Sequence, residues 1–176
     1  SEPNLANLVR MLVNRYAAGP RREILGTLKV APPEQYPEVG LYHPRMPRRI
    51  GDRLDQLPTE GSAGTVGLLV MRSYVLAGNA AHYDGVIEAL EKRGLRVIPA
   101  FSSGLDHRPA VEQFFLKAGV PAVDAVVSLT GFSLVGGPAY NDSHAAEEML
   151  ARLDVPYISA HPLEFQTMKQ WAGDAR

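Results

Sequence analysis

Four short apolar runs rich in β-branched residues mark the later part of the chain: TVGLLVM (65–71), LRVIPAF (95–101), VDAVVSL (123–129) and VPYISA (155–160). They are nearly continuous rather than alternating, which suits strands covered on both faces of a parallel sheet. Amphipathic helical patterns lie between them. Ala80 to Arg93 has Asn79 as its cap and Gly94 as its stop, and Pro109 to Lys117 ends at Gly119. Ser143 to Leu153 has Asp142 or Ser143 as cap. Successive strands recur about every thirty residues, the spacing of right-handed βαβ units. The predicted fold is α/β, a parallel doubly wound sheet of flavodoxin-like or Rossmann-like type.

The first sixty residues read differently. PNLANLVRMLVNRY sets Leu5, Leu8, Val9, Leu12, Val13 and Tyr16 at helical spacing, and Gly19-Pro20 stops the helix. The following KVAPPEQYPEVGLYHPRMPRR is too dense in proline for regular helix. Tyr36, Val39, Leu41, Tyr42 and Met46 are more apolar than a free linker would carry, so this extended segment is expected to pack on the rest. Residues 1–60 are thus a helix plus a Pro-rich extension, and 61–176 are the α/β unit. The arginines Arg45, Arg48, Arg49 and Arg53 read as a solvated face or a subunit contact. Phe114, Phe115 and Leu116 read as core.

Composition narrows the class. Apolar residues make up 45% and charged residues 21% of the 176, with a formal net charge of -1. Such a chain offers no field to gather nucleic acid or an anionic membrane. It has no cysteine, which removes disulfides, thiolate metal sites and cysteine catalysis. No apolar stretch approaches the roughly 20 residues of a membrane span, and no leader pattern opens the chain. The expectation is a soluble, cytoplasmic protein with no transmembrane segment and no nucleic-acid partner.

Open parallel sheets bind ligands beyond the carboxyl ends of their strands. That rule selects the loops 72–82, 102–108, 130–144 and 161–166, and each carries one histidine: His82, His107, His144 and His161. Only His43 lies elsewhere. For any one of them a local cap or hydrogen bond is the plainer account. His107 and His144, beside charged residues, look the most ordinary, and His82, one turn into a helix with Tyr83 beside it, the least. Arg72 reads equally as a structural ion-pair partner.

Familiar catalytic signatures are missing. There is no H-E-x-x-H, no G-x-S-x-G, and no G-x-G-x-x-G after the first strand. Gly131 and Gly136 have P-loop spacing, but Gly137 and Pro138 follow where Lys and Ser or Thr are required. Glycines there still admit close approach of a flat ligand, and the amides of the next helix start can receive a carboxylate. A large planar ligand bearing carboxylates fits that description.

At VVSLTGFSLVGGPA the chain resembles a known family. With GLYHP (40–44), RSYVLAGNAAHYDGVIEALEKRGLRVIPAFSSGLD (72–106) and LDVPYISAHPLEFQT (153–167), it is similar to the large, porphyrin-binding component of magnesium chelatase, its H subunit. The resemblance implies an internal piece of a much longer subunit that inserts Mg²⁺ into protoporphyrin IX on the way to chlorophyll and bacteriochlorophyll. Both are substrates. ATP would be hydrolysed by a partner AAA+ subunit working with a companion subunit, and not bound here, in keeping with the missing P-loop lysine. The piece alone is expected to be inactive, and peripheral membrane association of the cytoplasmic subunit is compatible with the family. The chemistry that the resemblance implies makes His82 the expected base or porphyrin contact, Asp106 the expected catalytic and metal-handling carboxylate, and Asp142 a second loop carboxylate placed to deliver the metal; of these, His82 and Asp106 match the family's blocks. Arg72 would pair with a propionate. Ser73, Tyr83, Thr130, Gly131, Gly136 and Gly137 would belong to the porphyrin site, while His107 and His144 do not match the family's blocks. The glycine loop would either wall a porphyrin cleft or pack against the rest of the subunit. The alternatives are the related cobaltochelatase large subunit and a free-standing, non-catalytic flavodoxin-like ligand-binding module.

Overall fold

A computed structural model describes residues 1–58, 61–137, 139–161, 163 and 166–174. Among the described residues the central sheet has six strands: β1 (Val39–Tyr42), β2 (Ile50–Gly51), β3 (Thr65–Leu69), β4 (Arg96–Ser102), β5 (Ala125–Ser128) and β6 (Tyr157–Ser159). Their order is β6-β5-β3-β4-β1-β2. The four strands legible as apolar runs pair in parallel, with Gly67 opposite both Ile98 and Val126. The Pro-rich segment supplies the other two, with β1 antiparallel to β4 and β2 antiparallel to β1. The fold is therefore mixed α/β with a mostly parallel central sheet.

Alternation along the strands divides the core between the two faces. Leu69, Ile98, Ala100 and Val126 pack with Phe114, Phe115, Met149 and Leu153. Leu68, Val70, Val97 and Phe101 pack instead with Val75, Tyr83 and Ile87. The first set includes residues of α4 (Ser143–Leu153), and the second residues of α2 (Arg72–Leu76) and α3 (Ala81–Glu91). Each fully buried side chain of this size contributes about 1.5–3 kcal/mol. On the first face Phe114, Phe115 and the partly buried Leu116 join the core, as expected.

Helix boundaries show where local pattern yields to context. The α4 helix runs Ser143–Leu153 with Asp142 as its cap, the Asp142 carboxylate accepting the Ala145 N–H at 2.9 Å. By contrast, Asn79 does not cap α3. Ala80 holds that position without a side-chain bond, while the Asn79 N–H donates to Tyr74 O and closes the preceding α2 turn. The helix foreseen over Pro109–Lys117 is also corrected. A single α turn at Arg108–Ala110 widens into a π turn at Val111–Phe115, burying Val111, Phe114 and Phe115 together. Leu116–Lys117 then pairs with Val120–Pro121 as a hairpin around Ala118 and Gly119, both at positive φ.

Before the sheet, α1 (Glu2–Tyr16) has no buried residue. The arginines of 45–53 are each spent within the chain: Arg45 pairs with Glu91, Arg48 with Glu34, Arg49 with Asp84 and Arg53 with Asp55. Among the described residues no helix is long and apolar enough to cross a membrane. Pro138 and most of the 162–165 loop lie outside the described residues.

Candidate functional site

Two loops at the carboxyl ends of β4 and β5 are stitched together by their backbones. The His107 N–H donates to Leu134 O at 3.0 Å, the Gly136 N–H donates to Leu105 O at 2.8 Å, and Asp106 bridges Val135. A second small ladder, Gly136–Gly137 with Tyr140–Asn141, folds the glycine loop back on itself, and the Asp142 N–H closes onto Val135 O at 3.0 Å. Between them lies a cleft of about 580 Å³ lined by Leu105, Asp106, Arg108, Val135, Gly136, Gly137, Ala139, Tyr140 and Asp142.

The cleft has an apolar floor and a polar rim. Asp106 and Arg108 form a two-toothed ion pair, Nη2 to Oδ2 at 2.7 Å and Nε to Oδ1 at 3.0 Å. The Arg108 guanidinium, with the Arg108 backbone N–H, holds the Asp106 carboxyl below the usual carboxylate range. Asp142 faces the same space while capping α4, and the Tyr140 ring stands exposed at the edge. Thus Asp106, Asp142, Gly136 and Gly137, singled out in sequence, are brought together. Arg108 and Tyr140 were visible as loop residues, but their roles were not. The i, i+2 spacing of a carboxylate and a guanidinium across a helix start is the signal that points to Arg108.

The remaining residues lie apart from this cleft. Arg72 reaches back to the Pro-rich segment, donating to Pro37 O at 2.8 Å and Tyr36 O at 3.2 Å, with Glu38 at 3.6 Å. Ser73 is exposed on α2. Tyr83 is fully buried and its hydroxyl accepts the Met71 N–H at 3.2 Å, fixing the end of β3. His82 is exposed and stacks in tilted fashion on Tyr83, 3.8 Å between centroids, with Tyr74 edge-on at 5.7 Å. Thr130 is buried, its hydroxyl 3.0 Å from Ser128 Oγ and tied to the Phe132 backbone, and Gly131 follows at positive φ. Among the described residues no group of three His, Asp or Glu side chains is arranged to hold a metal ion.

The histidines diverge. His82, His144 and His161 are exposed. His43 is buried and its Nε2 lies 3.1 Å from Glu91 Oε1. His107 departs from its ordinary appearance in sequence: it is fully buried, and neither ring nitrogen has a hydrogen-bond partner among the described residues. Its charged neighbours point outward while the helix start folds its ring under the loop. Burial lowers its pKa, so the ring is neutral in the fold. The folded pKa lies below the unfolded value near 6.5, so stability is full above that value and falls as the pH drops through it. Urea midpoints should decline as the pH falls below about 6.5, and His107→Leu should flatten that decline. An unchanged slope in the variant would assign the acid sensitivity elsewhere.

Comparison with known proteins gives a consistent answer. The family model described as CobN/Magnesium Chelatase matches residues 1–176. The magnesium-chelatase H subunit of Cereibacter sphaeroides is 57% identical over 173 residues, which are 98% of this chain and 14% of that protein. The chloroplastic magnesium-chelatase ChlH subunit of Oryza sativa is 37% identical over 185 residues, 97% of this chain and 13% of its own length. Among solved structures, the catalytic subunit of cobaltochelatase from Mycobacterium tuberculosis superposes with a TM-score of 0.56 at 20% identity. The match covers 95% of this chain and 14% of that one, a likeness of fold.

Proposed function

Since this chain belongs to the CobN/magnesium chelatase family, we propose that it acts as a segment of the porphyrin-binding large subunit of a magnesium chelatase. That enzyme inserts Mg²⁺ into protoporphyrin IX while a partner AAA+ subunit and its companion supply ATP hydrolysis. The chain spans 14% of its 57%-identical relative, so the activity is that of the longer subunit in its complex. The observation that carries the site reading is the convergence of Asp106, Asp142, Gly136 and Gly137 on one apolar-floored cleft.

The chemistry distributes the roles. Insertion removes both pyrrole N–H protons and strips water from a cation that prefers oxygen ligands. Asp106, kept ionised by Arg108, would hand Mg²⁺ toward the macrocycle, with Asp142 as a second carboxylate. The glycine wall and the Tyr140 ring suit a flat face. Exposed His82 would take a proton or touch the porphyrin edge. Arg72 would meet a propionate with Ser73 beside it, Tyr83 acting through Met71, and Thr130 and Gly131 shaping the loop between. The strand order agrees with a doubly wound, flavodoxin-like unit, and the subunit would be cytoplasmic with at most peripheral membrane contact. A cobaltochelatase segment is the second reading, favoured by the fold likeness alone. The higher identity to the magnesium enzyme puts it behind, and a non-catalytic ligand-binding module comes third.

A protoporphyrin titration followed by emission from Trp171, half exposed on α5 (Met168–Asp174), tests this reading. Saturable binding is expected, weakened about tenfold (1.4 kcal/mol) in Asp106→Asn. No binding by the folded chain would move the porphyrin site out of these residues.

A further inference from the structure

The amphipathic helix α1 is mounted inside out. Its amide side chains face the chain's own extended segment. Asn4 exchanges bonds with the Glu34 backbone at 2.7 and 2.8 Å, and Asn14 does the same with Leu28 at 2.6 and 2.9 Å. Between them the Asn7 carbonyl accepts the Ala31 N–H at 3.3 Å. Leu8 and Met11 lean over the same segment, lining a shallow apolar recess with Val30 and Pro33. The opposite side carries Leu5, Val9, Leu12 and Tyr16, exposed by 62%, 52%, 42% and 66%.

These four positions follow one another at steps of four, three and four residues. That is the seam of a heptad, the pattern that receives a second helix by knobs into holes. Asn7 and Asn14, seven apart, fall at the outward heptad position, so the polar bonds and the apolar seam are set on opposed sides. Solvent is a poor match for such a stripe, since an isolated surface helix normally turns its apolar side to the core.

We infer that α1 is half of a helix–helix joint, its seam receiving an amphipathic helix carried elsewhere in the same longer polypeptide. This rests on the membership of a large subunit proposed above. The 57%-identical relative aligns with 98% of this chain, which leaves no room for α1 outside the match. The aligned stretch is only 14% of that relative, so ample sequence remains to supply the partner. A second copy is a poorer occupant. The strip is about 22 Å long and about 10 Å wide, well below the roughly 800 Å² per partner that separate molecules bury in a stable complex. A tethered helix has a high effective concentration and needs no such area.

The experiment places this chain in the position of its aligned segment in the Cereibacter sphaeroides protein, with a photo-crosslinker at Leu12 (Leu12→p-benzoylphenylalanine). Arg10→p-benzoylphenylalanine, at an outward heptad position on the asparagine side of the helix, serves as control. The expected result is an intramolecular cross-link from Leu12, independent of protein concentration, to a helical segment outside the grafted residues, with background yield from Arg10. A cross-link between two copies, or equal yields at both positions, overturns the inference. Val9→Asp with Leu12→Asp should lower the unfolding temperature of the graft and leave that of the 176-residue chain unchanged; equal shifts in both also overturn it. Protoporphyrin binding, measured on the same graft, reports separately on the chelatase reading.

Discussion

Gly136→Val is expected to abolish protoporphyrin binding while the central sheet persists. Gly136 sits at φ +112, a region that side chains rarely enter. A Cβ there would strike the Tyr140 carbonyl oxygen and come within 2.8 Å of Asn141 Cα. Both are backbone atoms of the facing ladder and cannot rotate aside. Backbone strain of about 1–3 kcal/mol adds to an overpacking cost of about 1–3 kcal/mol. Opening the Gly136–Gly137 and Tyr140–Asn141 pairing is the cheapest relief, and it removes one wall of the cleft. Gly104→Ala isolates the conformational part, since Gly104 has positive φ but no atom of the described residues within 4 Å of an added Cβ. Circular dichroism should show the fold retained in both variants, with binding lost only in Gly136→Val. Unchanged affinity in that variant would show that the cleft is not the porphyrin site.

Phe115→Ala should cost the most global stability. Its ring is fully buried on the face of the sheet carried by Gly67 of β3, where an added Cβ would lie 2.8 Å from the ring. Truncating a buried Phe costs about 3–5 kcal/mol, less where neighbours collapse into the space. Here the facing residue is a glycine in the central strand, held between β4 and β5. Little can move in, so the upper part of that range is expected, a fall on the order of 10 °C in unfolding temperature. Gly67→Ala should also destabilise, because it presses the same ring from the other side. Combined with Phe115→Leu it should recover part of that loss, a non-additivity that marks direct contact. Strictly additive effects would place the ring elsewhere.

Much of this was written in local sequence. The parallel strands are the four apolar runs, Asp142 caps the helix that follows it, and the carboxyl-end rule selects the loops that build the cleft. These features depend on residues within one or two turns of each other, so periodicity and cap chemistry reveal them. The Pro-rich segment was legible as packed chain, but its place as β1 and β2 was not, because a short antiparallel strand is defined by its partner.

Tertiary structure decided what distant residues do to one another. Arg72 is tied to carbonyls 35 and 36 residues earlier. His107 is buried, with neither ring nitrogen hydrogen-bonded among the described residues, despite its charged neighbours, since burial is imposed by the loop above it. Asp106 and Asp142 share a cleft only because backbone bonds join 105–107 to 134–136. The apolar periodicity of α1 announced a helix but left its facing open. Asparagine side chains meeting the backbone at 28–34 turned that apolar seam outward, since those side chains satisfy backbone groups of the extended segment that would otherwise lack partners, whereas an apolar stripe only has to wait for another surface to cover it.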